Sequence, residues 1–317
     1  GYGFIVKNTL MRTIPTAQPS YEMDSDLEFD LFNETRLNVF EPVRILHPSA
    51  DGEWLFVQAW NYRGWVDAEA VAETDSSEWA RYADAGEVLV VTGNRVTLNE
   101  NVYNETASGL ELFMGTTLPL LSSVPETIDF MSTESGYAVL LPARDSNGRF
   151  HTVQALVPWN ADVHEGVLPY SQAALLRQAF KLAGDRHGWS GMNKSRDSTA
   201  LVDDVFRTFG FKLPRNSSQQ AVMPAAQTVD LSCMSDAEKL AAILDQPAGS
   251  LIIMNGHVAL YVGSEGGMPY VLHSLYTAYD SGGREIIYNA VVVTDLSLVD
   301  WDGNTYLSNV TAVKTIA

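Results

Sequence analysis

The feature that most constrains this chain is a change of patterning about halfway along it. Up to about residue 157 the apolar residues come in short β-branched or aromatic runs. Phe4-Ile5-Val6, Val43-Arg44-Ile45-Leu46, Trp54-Leu55-Phe56-Val57-Gln58 and Gly64-Trp65-Val66 are of this kind. Runs so short and closely spaced suggest the strands of a small barrel. Asp51-Gly52 and Asn147-Gly148 are the sharpest turn signals, because glycine supplies the positive φ of a tight hairpin. After a plausible short helix over 76–85, capped by Ser76 or Ser77, the pattern repeats. Val88–Thr92, Arg95–Leu98, Thr117–Leu120, Tyr137–Pro142 and Phe150–Val153 read as a second set of strands. Two small all-β modules in tandem are expected, over 1–75 and 76–157.

From 158 to 317 the order is helices first, then strands. Ser171–Ala183 carries Ala174, Leu175, Gln178, Ala179 and Leu182 at helical spacing. After Asp197, the residues Leu201, Val202, Val205, Phe206 and Phe209 form one apolar stripe, and Gly210 stops it. Ser235–Leu244 is a third helix with Asp236 and Glu238 near its start. Apolar strands follow at Ser250–Met254, His257–Val262, Tyr270–His273 and Ala290–Thr294. That order is an α+β domain with an antiparallel sheet.

Composition excludes several function classes. With 20 Lys+Arg against 39 Asp+Glu the net charge is −19, which is unsuited to tracking nucleic-acid phosphates. One cysteine, Cys233, rules out an internal disulfide framework and any multi-thiolate metal site. It lies just before a helix, far from any motif, and reads as a buried or incidental thiol. No apolar run approaches the roughly 18–20 residues a membrane span needs. The N-terminus, Gly1-Tyr2-Gly3, opens on a strand without an initiator Met. The expectation is that an upstream signal or anchor has been removed.

Of the six histidines, His47, His151 and His164 have no partner in the sequence pattern. His257 and His273 each mark an end of an apolar strand. On adjacent antiparallel strands they can face each other, the geometry of a base and its orienting partner. Strand alternation puts Ala259 and Tyr261 on the face of His257, and Val258, Leu260 and Val262 on the other. The latter three are expected in the core or under a helix. A zinc pair would need a third ligand at suitable spacing, and there is no H-E-x-x-H. No metal or cofactor is expected. Arg196-Asp197-Ser198-Thr199 opens the long helix, where orphan N–H groups and the dipole stabilise an anion. A cap alone explains an Asp there equally well. Gly188-Trp189-Ser190-Gly191 misses G-x-S-x-G by one residue and no strand precedes it.

Taken together, these pieces resemble the NlpC family of bacterial cell-wall peptidases, which are papain-like cysteine peptidases. The likeness covers about 158–317. It rests on Asp197-Ser198-Thr199, on Gly256-His257 through Gly263, on His273, and on Leu213-Pro214-Arg215-Asn216-Ser217-Ser218-Gln219-Gln220. His187-Gly188-Trp189-Ser190-Gly191 is similar to the family's aromatic-glycine loop. The first half resembles the paired bacterial SH3-like modules that precede this peptidase in a subgroup. Arg12–Thr16, Phe29–Thr35 and Asp51-Gly52-Glu53-Trp54 with Gly64-Trp65-Val66 carry that likeness.

The resemblance implies two SH3-like barrels followed by a papain-like peptidase domain. It implies cleavage of the γ-D-glutamyl to diamino-acid amide of peptidoglycan stem peptides. Position 198 is the nucleophile, His257 the general base and His273 its orienter. Asp197, Ser217 and His187 contact substrate, Asp197 and Ser217 at the free α-amine of L-Ala. The β modules would narrow the cleft or hold the wall peptide. The expected setting is the bacterial envelope, as a monomer, with a muropeptide as partner and no nucleic acid. The chain departs from the family pattern in three places. Ser198 stands where the family has its cysteine, Thr199 where it has serine, and His187 near where it has a tyrosine. A hydroxyl is a far weaker nucleophile than a thiolate. The reading adopted is an inactive Cys-to-Ser form of the peptidase. The alternatives are a natural non-catalytic muropeptide- or wall-binding relative, and an enzyme that uses serine.

Overall fold

A computed structural model of the chain describes residues 1–23, 27–280 and 282–316. It divides into two compact units, Gly1–Leu168 and Pro169–Ala317.

The first unit is almost entirely β. Seven antiparallel strands form one sheet, in the order Asn33–Leu37, Thr9–Arg12, Arg63–Asp67, Trp54–Gln58, Pro42–Pro48, Tyr2–Ile5 and Val71–Thr74. Asp51-Gly52 lies in the connection between Pro42–Pro48 and Trp54–Gln58, with Gly52 at φ 79°. The strand Tyr2–Ile5 serves two cores, because successive side chains point to opposite faces. Ile5 joins Met11, Leu37, Val43, Val57 and Val66 under the sheet. Phe4 joins Leu89, Leu112, Leu118, Val139 and Val157 of the residues that follow. The Phe4 ring sits 4.7 Å from that of Phe150 and 5.4 Å from that of Phe40. Past the helix Ser76–Ala83, which Asp75 caps, the strand Val88–Val91 pairs with both Thr117–Pro119 and Val163–Glu165. Gly136–Arg144 and Phe150–Pro158 form the long hairpin around Asn147-Gly148.

The second unit is α+β, with a six-stranded antiparallel sheet. The order is Gln227–Asp230, Val310–Thr315, Leu251–Met254, His257–Glu265, Met268–Tyr279 and Glu285–Asp295. Four neighbouring strands, Leu251–Met254 through Glu285–Asp295, are consecutive in sequence, as the apolar runs predict. The C-terminal strand Val310–Thr315 inserts beside them, and no tight turn in the sequence announces that pairing. The helix Ser198–Arg207 packs on the strands His257–Glu265 and Met268–Tyr279. Val258 and Leu260 are buried, as alternation predicts, and Val262 is half-buried. The opposite face is covered too: Ala259 and Tyr261 pack with Ile243 of the helix Asp236–Leu244, and with Leu296 and Val310.

Candidate active site

Three local features bring the chemistry together. The first is the start of the helix Ser198–Arg207. Its stripe of Leu201, Val202, Val205 and Phe206 is buried, which fixes the rotation of the helix on the sheet. Asp197 is its N-cap and accepts from the Ala200 N–H at 2.9 Å. Ser198 therefore occupies the first helical turn, among backbone donors that have no partner inside the helix. It is only 7% exposed.

Both oxygens of the Asp197 carboxylate have partners within the protein, and the side chain is 15% exposed. Oδ2 accepts from Arg215 Nη2 at 2.5 Å and from the Ser190 N–H at 3.2 Å. Oδ1 accepts from the Thr199 hydroxyl at 2.9 Å, and Arg215 Nη1 donates to that same hydroxyl oxygen. Burial would raise this carboxyl, but the Arg215 guanidinium and the donors around it hold it below the ordinary aspartate range. The expectation of Asp197 as an open anionic seat for an amine thus meets a carboxylate already paired within the protein. Ser217, expected to share that role, is half-buried at the first position of the helix Ser217–Val222. In this segment it is Arg215 that reaches Asp197.

The second feature is the loop before the helix. Arg196 is 1% exposed, bonded to Asp204 at 2.6 Å and to Asp185 at 3.3 Å. Its carbonyl accepts from the Ser274 hydroxyl at 2.7 Å. Ser274 has one proton and gives it to that carbonyl, so the 2.8 Å contact between His187 Nδ1 and Ser274 Oγ requires Nδ1–H of His187 to donate. The buried His187 thereby carries a proton on Nδ1, in its neutral and its charged form alike. Gly188 is irreplaceable on steric grounds, since a Cβ there would lie 2.4 Å from the Met192 carbonyl oxygen. Ser190 and Gly191 follow with φ of 50° and 87°, left-handed backbone that glycine adopts without penalty and serine does not.

The third feature is the pair of histidines. The Asn255-Gly256 turn, with Gly256 at φ 75°, places His257 at the first residue of its strand, paired with Met254. Leu260 faces Leu272 across the next ladder, so His257, Ala259 and His273 share the opposite face. His257 Nε2 lies 2.8 Å from His273 Nδ1. His273, fully buried, continues the line through Nε2 to Thr294 Oγ1 at 3.0 Å. The protons can run two ways along this line. Only one leaves His257 Nδ1 with a free lone pair: Nε2–H of His257 donates to His273, and Nε2–H of His273 donates to Thr294. Burial, then the positive field of His187, pushes His257 down to about 4, with Asp197 opposing. Burial and His257 push His273 well below the usual histidine range.

Arg215, Ser274 and Thr294 join this network although the residue pattern singled out none of them. Thr294 does carry a signal, as the polar end of the run Val291-Val292-Val293. Cys233 is exposed, in the turn before the helix Asp236–Leu244, which corrects the buried alternative of its reading and leaves the incidental one. Among the described residues, no cluster of three or more His, Cys, Asp or Glu has the arrangement of a metal site.

Residues 19–67 match the SH3 domain (SH3b1 type) and residues 184–283 match the NlpC/P60 family. The latter span contains His187, Asp197, Ser198, Arg215, Ser217, His257 and His273, and ends before Thr294. No curated protein matches the chain. Among solved structures, a novel NlpC/P60 endopeptidase from Photobacterium damselae subsp. piscicida is similar at 19% identity and TM-score 0.82. That match covers 99% of this chain and 72% of the other. An NlpC/P60 family protein from Bacillus cereus ATCC 10987 is similar at 19% identity and TM-score 0.68, covering 99% of both chains. At that identity the likeness carries the fold.

Proposed function

We propose, from the premise that this chain carries an SH3b-type domain and an NlpC/P60 peptidase domain, that it acts on peptidoglycan stem peptides. The bond is the amide between γ-D-glutamyl and the diamino acid. The observation that carries this reading is the hydrogen-bonded line His257–His273–Thr294, whose two histidines lie on strands against which the Ser198 helix packs. In the reaction the position-198 heteroatom bonds to the scissile carbonyl carbon while its proton passes to His257 Nδ1. The backbone N–H at 198, at the helix N-terminus, stabilises the oxyanion. His257 then gives the proton to the departing amine as the C–N bond breaks, and water releases the acyl group by the same relay.

Serine fits this line poorly. A base whose conjugate acid sits at about 4 is too weak to activate a hydroxyl. A thiol needs far less help, because it is itself acidic. We therefore read the chain with Ser198 as a stem-peptide binder of low hydrolytic activity, and Ser198→Cys as its active form. The second reading is a natural non-catalytic binder using the same cleft. Thr199 and His187 favour it, since they depart from the family pattern in addition to Ser198. Asp197 keeps an exposed edge, where a substrate ammonium can join Arg215 on the same carboxylate, with Ser217 and His187 completing the contact. We also take the chain as three parts, 1–75, 76–157 and 158–317, working as a monomer outside the cytoplasm with the β modules holding the wall peptide. The test is hydrolysis of a muropeptide by the Ser198→Cys form. The release of L-Ala-γ-D-Glu supports the peptidase; binding without release in both forms supports the second reading.

A further inference from the structure

Outside the span of the family match lies a short helix, Tyr306–Asn309, just before the C-terminal strand. Its first residue touches the histidine pair. The Tyr306 ring centroid is 6.2 Å from that of His257 and 6.0 Å from that of His273, inclined at 60° and 86°. The two imidazoles are 5.1 Å apart. The three rings form a triangle, with the tyrosine edge-on to both partners of the 2.8 Å hydrogen bond.

The helix is held firmly for so short an element. The Tyr306 N–H donates to the Leu298 carbonyl, and the Leu307 N–H donates to the Leu296 carbonyl. Asn309 Nδ2 donates to Asp300 Oδ2 at 2.7 Å. Lys239, a buried lysine on the helix Asp236–Leu244, spends its ammonium on the Ser308 carbonyl at 2.5 Å. A buried ammonium is costly unless it is hydrogen-bonded, and the Ser308 carbonyl supplies that bond. Here it ties the last turn of the Tyr306 helix to the underlying layer. Tyr306 itself packs against the cluster that holds Ala259 and Tyr261.

We infer that Tyr306 is a positioning residue for the active-site pair, closing over the His257–His273 hydrogen bond and keeping water from it. A water molecule in that place would offer the imidazoles an alternative partner and would solvate their charged forms. The pair would then lose the one-way proton line that leaves His257 Nδ1 as the acceptor. The phenol acts through its ring. Burial, with Asp300 and Tyr288 adding to it, pushes its hydroxyl up to about 12, so the residue stays neutral wherever the histidines titrate. This inference deepens the reading of His257 and His273 as a working pair. Its test observes the imidazoles directly and not the peptidase reaction.

The experiment is NMR titration of the imidazole Cε1–H and 15N resonances of His257 and His273 in the full chain. The given protein, Tyr306→Phe, Tyr306→Ala and Tyr306→Gln are compared. Tyr306→Phe keeps the ring and should titrate like the parent. Tyr306→Ala and Tyr306→Gln admit water and should move both histidines upward by about one unit, tenfold in the acid constant. If Tyr306→Ala does not fold, Tyr306→Gln, close in length, supplies the comparison. Histidine titrations unchanged in the folded variants would overturn the inference, whatever happens to their melting temperature. A shift in Tyr306→Phe equal to that in Tyr306→Gln would also overturn it, by assigning the effect to the hydroxyl. If the titrations move as expected while Ser198→Cys cleaves no stem peptide, this inference stands and the peptidase reading falls.

Discussion

Replacing Arg215 with methionine tests the electrostatic core of the site. The Arg215 side chain is 7% exposed and that of Asp197 is 15% exposed, so neither charge has much recourse to water. Methionine keeps most of the length and apolar volume of arginine and removes the guanidinium. Asp197 then keeps three neutral donors, the N–H groups of Ser190 and Ala200 and the Thr199 hydroxyl. Breaking a buried pair by removing one partner costs about 3–5 kcal/mol. The surviving donors place the expected cost near the lower end, about 3 kcal/mol. The pH dependence is a sharper signature than the size. With Arg215 present the Asp197 carboxyl lies below its unfolded value, so its contribution is present above about pH 4 and is lost as pH falls through the folded pKa. Without Arg215 burial dominates and the carboxyl lies above its unfolded value, so folding takes up a proton. The variant then loses stability as pH rises from about 4 and recovers on acidification. The gap between parent and variant should therefore narrow from pH 7 to pH 4. Hydrogen exchange on peptides from the helix Ser198–Arg207 reads the opening free energy of the elements concerned. A second change, Asp197→Asn on Arg215→Met, removes the orphaned charge and should recover at least about 1 kcal/mol. A loss under about 1 kcal/mol at pH 7, or a gap that stays constant on acidification, would refute the reasoning.

Other outcomes follow from the same contacts. Thr294→Val strands the buried Nε2 of His273 and should cost about 1–3 kcal/mol, while lowering activity of the Ser198→Cys form about tenfold or more; denaturation and peptide release measure the two. Ser190→Gly relieves a left-handed serine and should stabilise the protein by about 0.5–1 kcal/mol, checked by urea denaturation, with destabilisation counting against the strain argument. His257 is depressed from the usual histidine value to about 4, so it stays neutral when the unfolded chain would be protonated. Stability should rise with pH between about 4 and 6.5 by up to about 3 kcal/mol, and His257→Gln should flatten that slope. Acetylating the α-amine of the free stem peptide should weaken binding to the chain by no more than about tenfold, because Arg215 already balances much of the Asp197 charge. Equal affinities by calorimetry would remove Asp197 from substrate recognition.

How much of this was legible in the sequence depends on the range of each signal. The helix Ser198–Arg207 and the strands from Leu251 onward are written in local periodicity; Leu251–Met254 keeps the expected bounds, whereas Met268–Tyr279 and Glu285–Asp295 run well beyond the expected Tyr270–His273 and Ala290–Thr294. The tight Asn255-Gly256 turn fixes which residue of its strand comes first, so the meeting of His257 and His273 could be expected from alternation. The strands Thr9–Arg12 and Asn33–Leu37 were harder. They are short, carry polar residues, and owe their existence to pairing within a seven-stranded sheet. Val310–Thr315 is apolar enough to be a strand, but its place between Gln227–Asp230 and Leu251–Met254 is set by contacts far away in sequence. The same holds within the site. Asp197 at a helix start was visible. That Arg215, 18 residues later, would take its charge was not, because no local rule couples a loop arginine to an N-cap. Nor does any local rule bring Tyr306, from a four-residue helix near the C-terminus, onto the histidines.

In the proposed function the chain is a stem-peptide hydrolase whose output is limited by the atom at position 198. Chromatographic and mass-spectrometric analysis of a purified tripeptide muropeptide incubated with the Ser198 protein and with Ser198→Cys tests this directly. The cysteine form should release L-Ala-γ-D-Glu at a rate at least about 100-fold above the serine form, which is about 2.7 kcal/mol or more in the barrier. Abolition of that gain by His257→Ala belongs to the same prediction. Cleavage by the serine form that the cysteine does not improve, or no cleavage by a folded cysteine form that binds the peptide, would contradict it.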